Sequence, residues 1–129
     1  MPTIHHDVTF AASPARVYRA LMNSAEHAEY TGLPAHIGDA EGETFSLFGG
    51  RVIGRHLELV PDQRIVQAWR ATHWPDGLYT IVRITLHPEG DQTRLVLDHD
   101  AVPDTVAAHV DRHWKTRYWE ALTCYLEPW

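Results

Sequence analysis

The sequence predicts an α+β fold: a curved antiparallel sheet of about six or seven strands wrapped around one long C-terminal helix, with two short helices after the first strand. Three observations carry this prediction. Residues 35–101 break into short runs of alternating apolar character separated by turn residues, the pattern of an antiparallel meander. A single amphipathic segment without internal breakers follows, from Pro103 to Pro128. The 129 residues are the length of one domain, 1–129, and no repeat, linker or low-complexity tract divides them.

Each element has its own signal. Ile4, His6, Val8 and Phe10 alternate with polar neighbours, the period of a half-buried strand. Ser13 can cap a helix opening on Pro14, whose missing N–H suits the first helical position. Val17, Tyr18, Leu21 and Met22 form its apolar stripe. Ser24 can cap a second short helix, 25–30, which Thr31-Gly32-Leu33-Pro34 stops. Strands are expected at 44–48, 51–60, 64–71, 78–86 and 93–101, between breaks such as Gly49-Gly50, Pro61-Asp62 and Pro75-Asp76-Gly77. Gly49-Gly50 reads as a tight hairpin turn, which needs positive φ. Val82, Ile84 and Leu86 face one side and Arg83, Thr85 and His87 the other, so the sheet is one-sided and needs a cover. At about 100° per residue, Val106, Ala107, Val110, Trp114, Tyr118, Ala121, Leu122 and Tyr125 gather on one face of the last helix, with Trp119 at its edge.

Composition excludes several classes. With 44% hydrophobic and 22% charged residues the chain can fold around a core without staples. Cys124 is its only cysteine, so no internal disulfide forms, which fits a reducing compartment. The first residues have neither a basic nor an apolar region of a leader, and no apolar run approaches 18 residues. The expectation is a cytoplasmic protein without a membrane span. A formal charge of −6 and no basic stripe argue against a nucleic-acid partner.

Six short motifs occur in one order along residues 4–126. They are Ala12-Ser13-Pro14-Ala15-Arg16-Val17-Tyr18, Tyr30-Thr31-Gly32, and Phe48-Gly49-Gly50-Arg51-Val52-Ile53-Gly54. Then come Arg64-Ile65-Val66-Gln67-Ala68-Trp69-Arg70, Ala101-Val102-Pro103, and Trp114 with Tyr118-Trp119-Glu120-Ala121-Leu122. In this order the chain resembles the homologues of the activator of heat-shock protein 90 ATPase, within the START-like or SRPBCC helix-grip superfamily. The resemblance implies a sheet gripping the last helix, with a cavity between them that takes small hydrophobic molecules in many relatives. It also implies a possible chaperone contact, although the eukaryotic co-chaperone uses an additional N-terminal domain that this sequence does not contain. His113 departs from the pattern, since relatives often have glycine before the tryptophan.

Candidate ligand-binding residues are the aromatics Tyr30, Phe48, Trp69, Trp74, Tyr79, Trp114, Tyr118 and Tyr125, together with His99. Aromatic rings with a few polar tips are what a ligand pocket requires, and equally what a core requires. His99 shares a strand face with Leu95 and Leu97, so an inward face would place an imidazole in the cavity, as ligand anchor, acid or base, or structural hydrogen-bonding group. Arg117 near the buried edge of the last helix suits an anionic ligand or an acidic neighbour. His109 and His113, four apart with Glu120 on the same stripe, have metal-ligand spacing. That stripe is expected to point away from the apolar face, so no metal and no cofactor is expected. Cys124 reads as a small core residue rather than a nucleophile, and no nucleophile elbow, phosphate loop or dinucleotide fingerprint is present.

The leading expectation is non-covalent binding of a small, largely hydrophobic or aromatic molecule. A cyclase, dehydratase or hydrolase would need a paired acid and base, for which the sequence offers His99 with a tyrosine. A chaperone-related interaction module would show an exposed apolar patch and little internal cavity. Trp119 and Trp129 are candidate interface residues of a homodimer.

Overall fold

Strand alternation builds the sheet as the sequence predicts. The computed structural model describes residues 3–127; Pro128 and Trp129, the expected helix stop and one candidate interface residue, lie outside them. Seven strands form one antiparallel sheet: β1 (Ile4–Phe10), β2 (His36–Ile37), β3 (Thr44–Leu47), β4 (Val52–Val60), β5 (Arg64–Ala71), β6 (Thr80–Glu89) and β7 (Gln92–Asp100). Their order is β1-β7-β6-β5-β4-β3-β2, so β2 to β7 form a continuous meander and β1 closes onto its last strand. The buried face carries Ile4, His6 and Phe10 from β1, Val82, Ile84 and Leu86 from β6, and Leu95, Leu97 and His99 from β7. These positions are two apart, as a one-sided sheet demands.

Two short helices follow β1. Ser13 accepts from the Arg16 N–H and opens α1 (Pro14–Met22), with Pro14 in the first turn. Asn23, not Ser24, caps α2 (Ser24–Thr31): its side chain accepts from the Glu26 N–H. The Ser24 hydroxyl instead accepts from the Ile37 N–H and ties α2 to the sheet edge at β2.

The cover is α3, residues 107–126, which begins three residues later than Asp104 because 103–106 forms a turn closed by Val106 N–H to the Pro103 carbonyl. It is not a uniform α-helix. Ala107–His113 and Ala121–Leu126 are α-helical, and Trp114–Glu120 between them is π-helical. The i→i+5 bonds widen the turn, so Trp114, Tyr118 and Trp119 are all buried on the sheet side. Trp119, expected at the helix edge, is thus 5% exposed and faces Phe10 and His6, which removes it as an interface residue. Cys124 is exposed rather than in the core. No helix among the described residues is long and apolar enough to cross a membrane.

Candidate functional site

Rings fill the space between sheet and helix. Trp114 stacks on Trp69 at 6.0 Å between centroids, on Tyr118 at 4.7 Å and on Trp119 at 5.4 Å. What remains enclosed there is a void of about 20 Å³ against Trp114, Tyr118 and Phe45, room for about one water. The enclosed cavity expected from the sequence is therefore closed by the aromatic side chains assigned to line it.

Two of the interior imidazoles are consumed in holding these rings. The Trp114 indole N–H donates to Nδ1 of His99 at 2.9 Å, and Nε2 of His99 lies 2.7 Å from the Thr80 hydroxyl. Thr80 in turn donates to the Trp69 carbonyl at 2.7 Å. The chain of donors fixes the proton on Nε2 of His99. Burial, helped by the nearby His113, depresses its pKa to about 3. His99 is thus a neutral strut with both nitrogens used, free neither to anchor a ligand nor to act as acid or base. A parallel relay runs beside it: Trp119 N–H donates to Nδ1 of His6 at 2.8 Å, and Nε2 of His6 meets Asp111 at 2.6 Å. That bond holds the Asp111 carboxyl below its ordinary value.

Open space lies at one end of the grip, where the β3–β4 turn and the β5–β6 loop meet the first half of α3. This cleft has a volume of about 580 Å³. Its apolar wall is Phe48, Val52, Trp69, Trp74 and Val110, all buried. Local bonding sets the wall's shape. Phe48 has φ 53°, a left-handed conformation costly for a bulky residue, and with Gly49 (φ 68°) and Gly50 (φ 89°) it forms the turn between β3 and β4. The connection spans four residues, 48–51, and both glycines take the positive φ expected of them. The strained turn drives the Phe48 ring against His113 at 4.7 Å and Tyr118 at 5.3 Å. Trp74 is fixed by the Arg70 guanidinium, which donates to the Trp74 carbonyl at 2.7 Å and the Pro75 carbonyl at 3.2 Å.

Two polar atoms in this wall have no partner. The Trp69 indole N–H is buried in a residue only 2% exposed, and Nε2 of His113 is likewise buried and unbonded. His113 was expected on a solvent-facing stripe; the Phe48 turn instead reaches the helix flank and covers it. Burial, then the neighbouring His109 and Arg117, lower its pKa to about 4. His109 also lines the cleft, but Glu120 does not, and no metal-holding cluster exists among the described residues. The rim is Arg51, Arg112 and Arg117, all exposed.

The sequence-derived candidates therefore separate into groups. Phe48, Trp69 and Trp74 line the cleft, and Trp114, Tyr118 and His99 back it from the core. Tyr30 and Tyr125 pair at 5.4 Å elsewhere, with Arg16 over Tyr125. Tyr79 is 49% exposed beneath Arg70 and borders a broader, shallower depression of about 810 Å³, formed with Thr44, Ser46, Arg55 and Ala68. Phe45 is the one buried aromatic in that depression, against Phe48, Trp69 and Trp74 in the cleft. His113, Arg51 and Arg112 were not assigned to a ligand site from sequence. The one signal was local: Arg51 follows the double glycine, and His113 stands where glycine is common.

Known proteins share this architecture. An HSP90 activator from Plasmodium falciparum superposes with a TM-score of 0.92 at 20% identity, covering 96% of this chain and 95% of that one. The Aha1 dimer from Colwellia psychrerythraea gives 0.84 at 21% identity, covering 98% and 97%. The human activator of 90 kDa heat shock protein ATPase homolog 1 is 27% identical over 114 residues, 88% of this chain. The chain spans about a third of that curated relative's length, 34%. The sequence pattern described as activator of Hsp90 ATPase homolog 1-like protein matches residues 11–127. With its seven-stranded grip closed on α3, the chain belongs to the activator of Hsp90 ATPase homolog 1-like family.

Proposed function

We propose that this chain binds a small, largely apolar molecule non-covalently in the open cleft at the Phe48 turn. The supporting observation is the pairing of a roughly 580 Å³ space with two unbonded buried polar atoms, Trp69 Nε1 and His113 Nε2, in an aromatic wall. An unpaired buried donor costs about 1–3 kcal/mol, and a ligand acceptor that reached the Trp69 N–H from the cleft would recover it. The volume falls within the range of small-molecule sites. Catalysis gains no support, since His99 has both nitrogens bonded within the protein.

The test is an amide-and-indole nuclear magnetic resonance titration with a neutral probe, 1-naphthaleneethanol. Selective, saturable movement of the Trp69 indole signal, identified by its loss in Trp69→Phe, supports the reading. No shift up to millimolar probe sinks it. A second reading is a chaperone-contact module. It is favoured by the nearly solid interior and by the names of the curated relatives, and it predicts co-elution of this chain with a 90 kDa heat-shock protein.

A further inference from the structure

The cleft's rim carries a charge pattern that the apolar wall does not explain. Six of the eleven basic side chains, Arg16, Arg19, Arg64, Arg83, Arg94 and Lys115, are in ion pairs with carboxylates. Arg55 and Arg70 donate to backbone carbonyls. The remaining three, Arg51, Arg112 and Arg117, have no side-chain partner among the described residues, and all three line this one cleft. None of the seventeen acidic side chains lines it, in a chain of formal charge −6. Three arginines without a carboxylate partner around one cleft give it a positive local potential in a chain of net negative charge.

Resting on the proposed cleft reading, we infer that the ligand is an amphipathic anion: an aromatic or aliphatic body against Trp69, Trp74 and Phe48, with a carboxylate or similar oxyanion held at the rim by Arg51, Arg112 and Arg117. Guanidinium forks match oxyanions in geometry and give charge-assisted bonds stronger than neutral ones. Their siting beside an apolar wall gives such an anion two contacts that neither a free inorganic anion nor a neutral hydrocarbon can make together.

The experiment compares three isosteric probes on the intact chain by calorimetry and tryptophan fluorescence: 1-naphthaleneacetate, 1-naphthaleneethanol and 1-naphthaleneethylamine. The expected result is binding of the acetate about tenfold or more tighter than the alcohol, with the amine weakest; tenfold corresponds to about 1.4 kcal/mol, close to the lower end of what one charge-assisted hydrogen bond contributes. The preference should shrink towards unity in Arg112→Gln/Arg117→Gln and at 0.5 M salt, while Arg83→Gln, on the sheet's outer face, keeps it. Equal affinity for all three probes overturns the anion inference and leaves the cleft reading standing. Absence of binding by any probe overturns both. Because the rim arginines are exposed, these variants are expected to fold, and unchanged circular dichroism checks that directly.

Discussion

At the scale of single residues, the close packing of β3, β4 and β5 depends on Gly54. A Cβ at this position would sit 1.9 Å from the Ala68 carbonyl and 2.4 Å from the Phe45 ring. Phe45 is the cross-strand partner of Gly54, and its ring lies where a side chain would otherwise project, an aromatic covering a strand glycine. Gly54→Ala must move backbone, so it is expected to cost roughly 3 kcal/mol or more, read as a lowered urea midpoint with an unchanged slope. Trp69→Phe should behave oppositely. It removes an N–H that no protein atom satisfies, so the lost contacts are partly offset and stability should fall by only about 1 kcal/mol. Probe affinity in the cleft should nevertheless drop severalfold in a fluorescence titration; an undiminished affinity would show that this N–H faces no ligand. The glycine belonged to a visible motif, but its reason was not visible, because the clashing atoms come from strands 9 and 14 residues away. Trp69 and His99 show the same limit in polar form. Alternation put His99 on one face with Leu95 and Leu97 and left open which way that face points, and only the register of Trp69 opposite Thr80, and of His99 opposite Val82, decides that the hydrogen-bond chain closes on one imidazole and leaves the indole open.

Elements were legible in proportion to how local their causes are. Strand period, proline at the start of α1 and glycine turns are written in neighbouring residues, and six of the seven strands were expected within a few residues of where they lie. The two-residue β2 has too little period to read, and it exists because β3 pairs with it and Ser24 anchors Ile37. The π-helical stretch was unreadable for a different reason. At 100° per residue, Trp119 falls about 140° from Trp114, off the buried face; the wider turn recovers it. The gain is the Trp119–His6–Asp111 relay, which fastens α3 to β1. Deleting the exposed Lys115 should close the segment into an α-helix in which Trp114, Tyr118 and Trp119 stand at i, i+3 and i+4, one face, so all three stay buried. The expected cost is then less than about 1 kcal/mol, as for Lys115→Ala. A loss on the order of 3–5 kcal/mol on deletion, the scale of one large buried aromatic, read as a lowered denaturation midpoint, would show that the packing needs the π-helical turn itself.

For the whole molecule, the aromatic interior that closes the expected cavity also sets how the fold responds to acid. His27 and His99 are both 0% exposed, and burial lowers them to about 4 and about 3 respectively, with the nearby His113 adding to each shift. His113, packed between Phe48 and Trp69 and beside His109 and Arg117, is itself lowered to about 4. The other groups against these rings, Tyr118 at His27 and Thr80 and Trp114 at His99, carry no charge that would favour an imidazolium. In the unfolded chain each histidine returns to about 6.5. Above that pH both states are neutral and the histidine contribution is fully present. As pH falls from 6.5 towards 4, the unfolded chain takes up protons that the folded one refuses, so stability is lost. Well below pH 6 the slope approaches about 1.4 kcal/mol per pH unit for each histidine, or about 2.7 for His27 and His99 together. The carboxylates lowered by their partners, Asp7, Glu26 and Asp111, act in a separate window, because their contribution fades only as pH drops through the acidic range below about 4. Urea unfolding at half-unit steps between pH 7 and 4.5 should therefore show a steep decline that precedes carboxylate protonation. His27→Gln should flatten that decline by about one histidine's share, whatever its effect at pH 7, because the slope counts protons and not contacts. A slope unchanged by the substitution would mean that His27 is protonated in the folded protein, and that the bond from its ring to Tyr118 is not the one that burial demands.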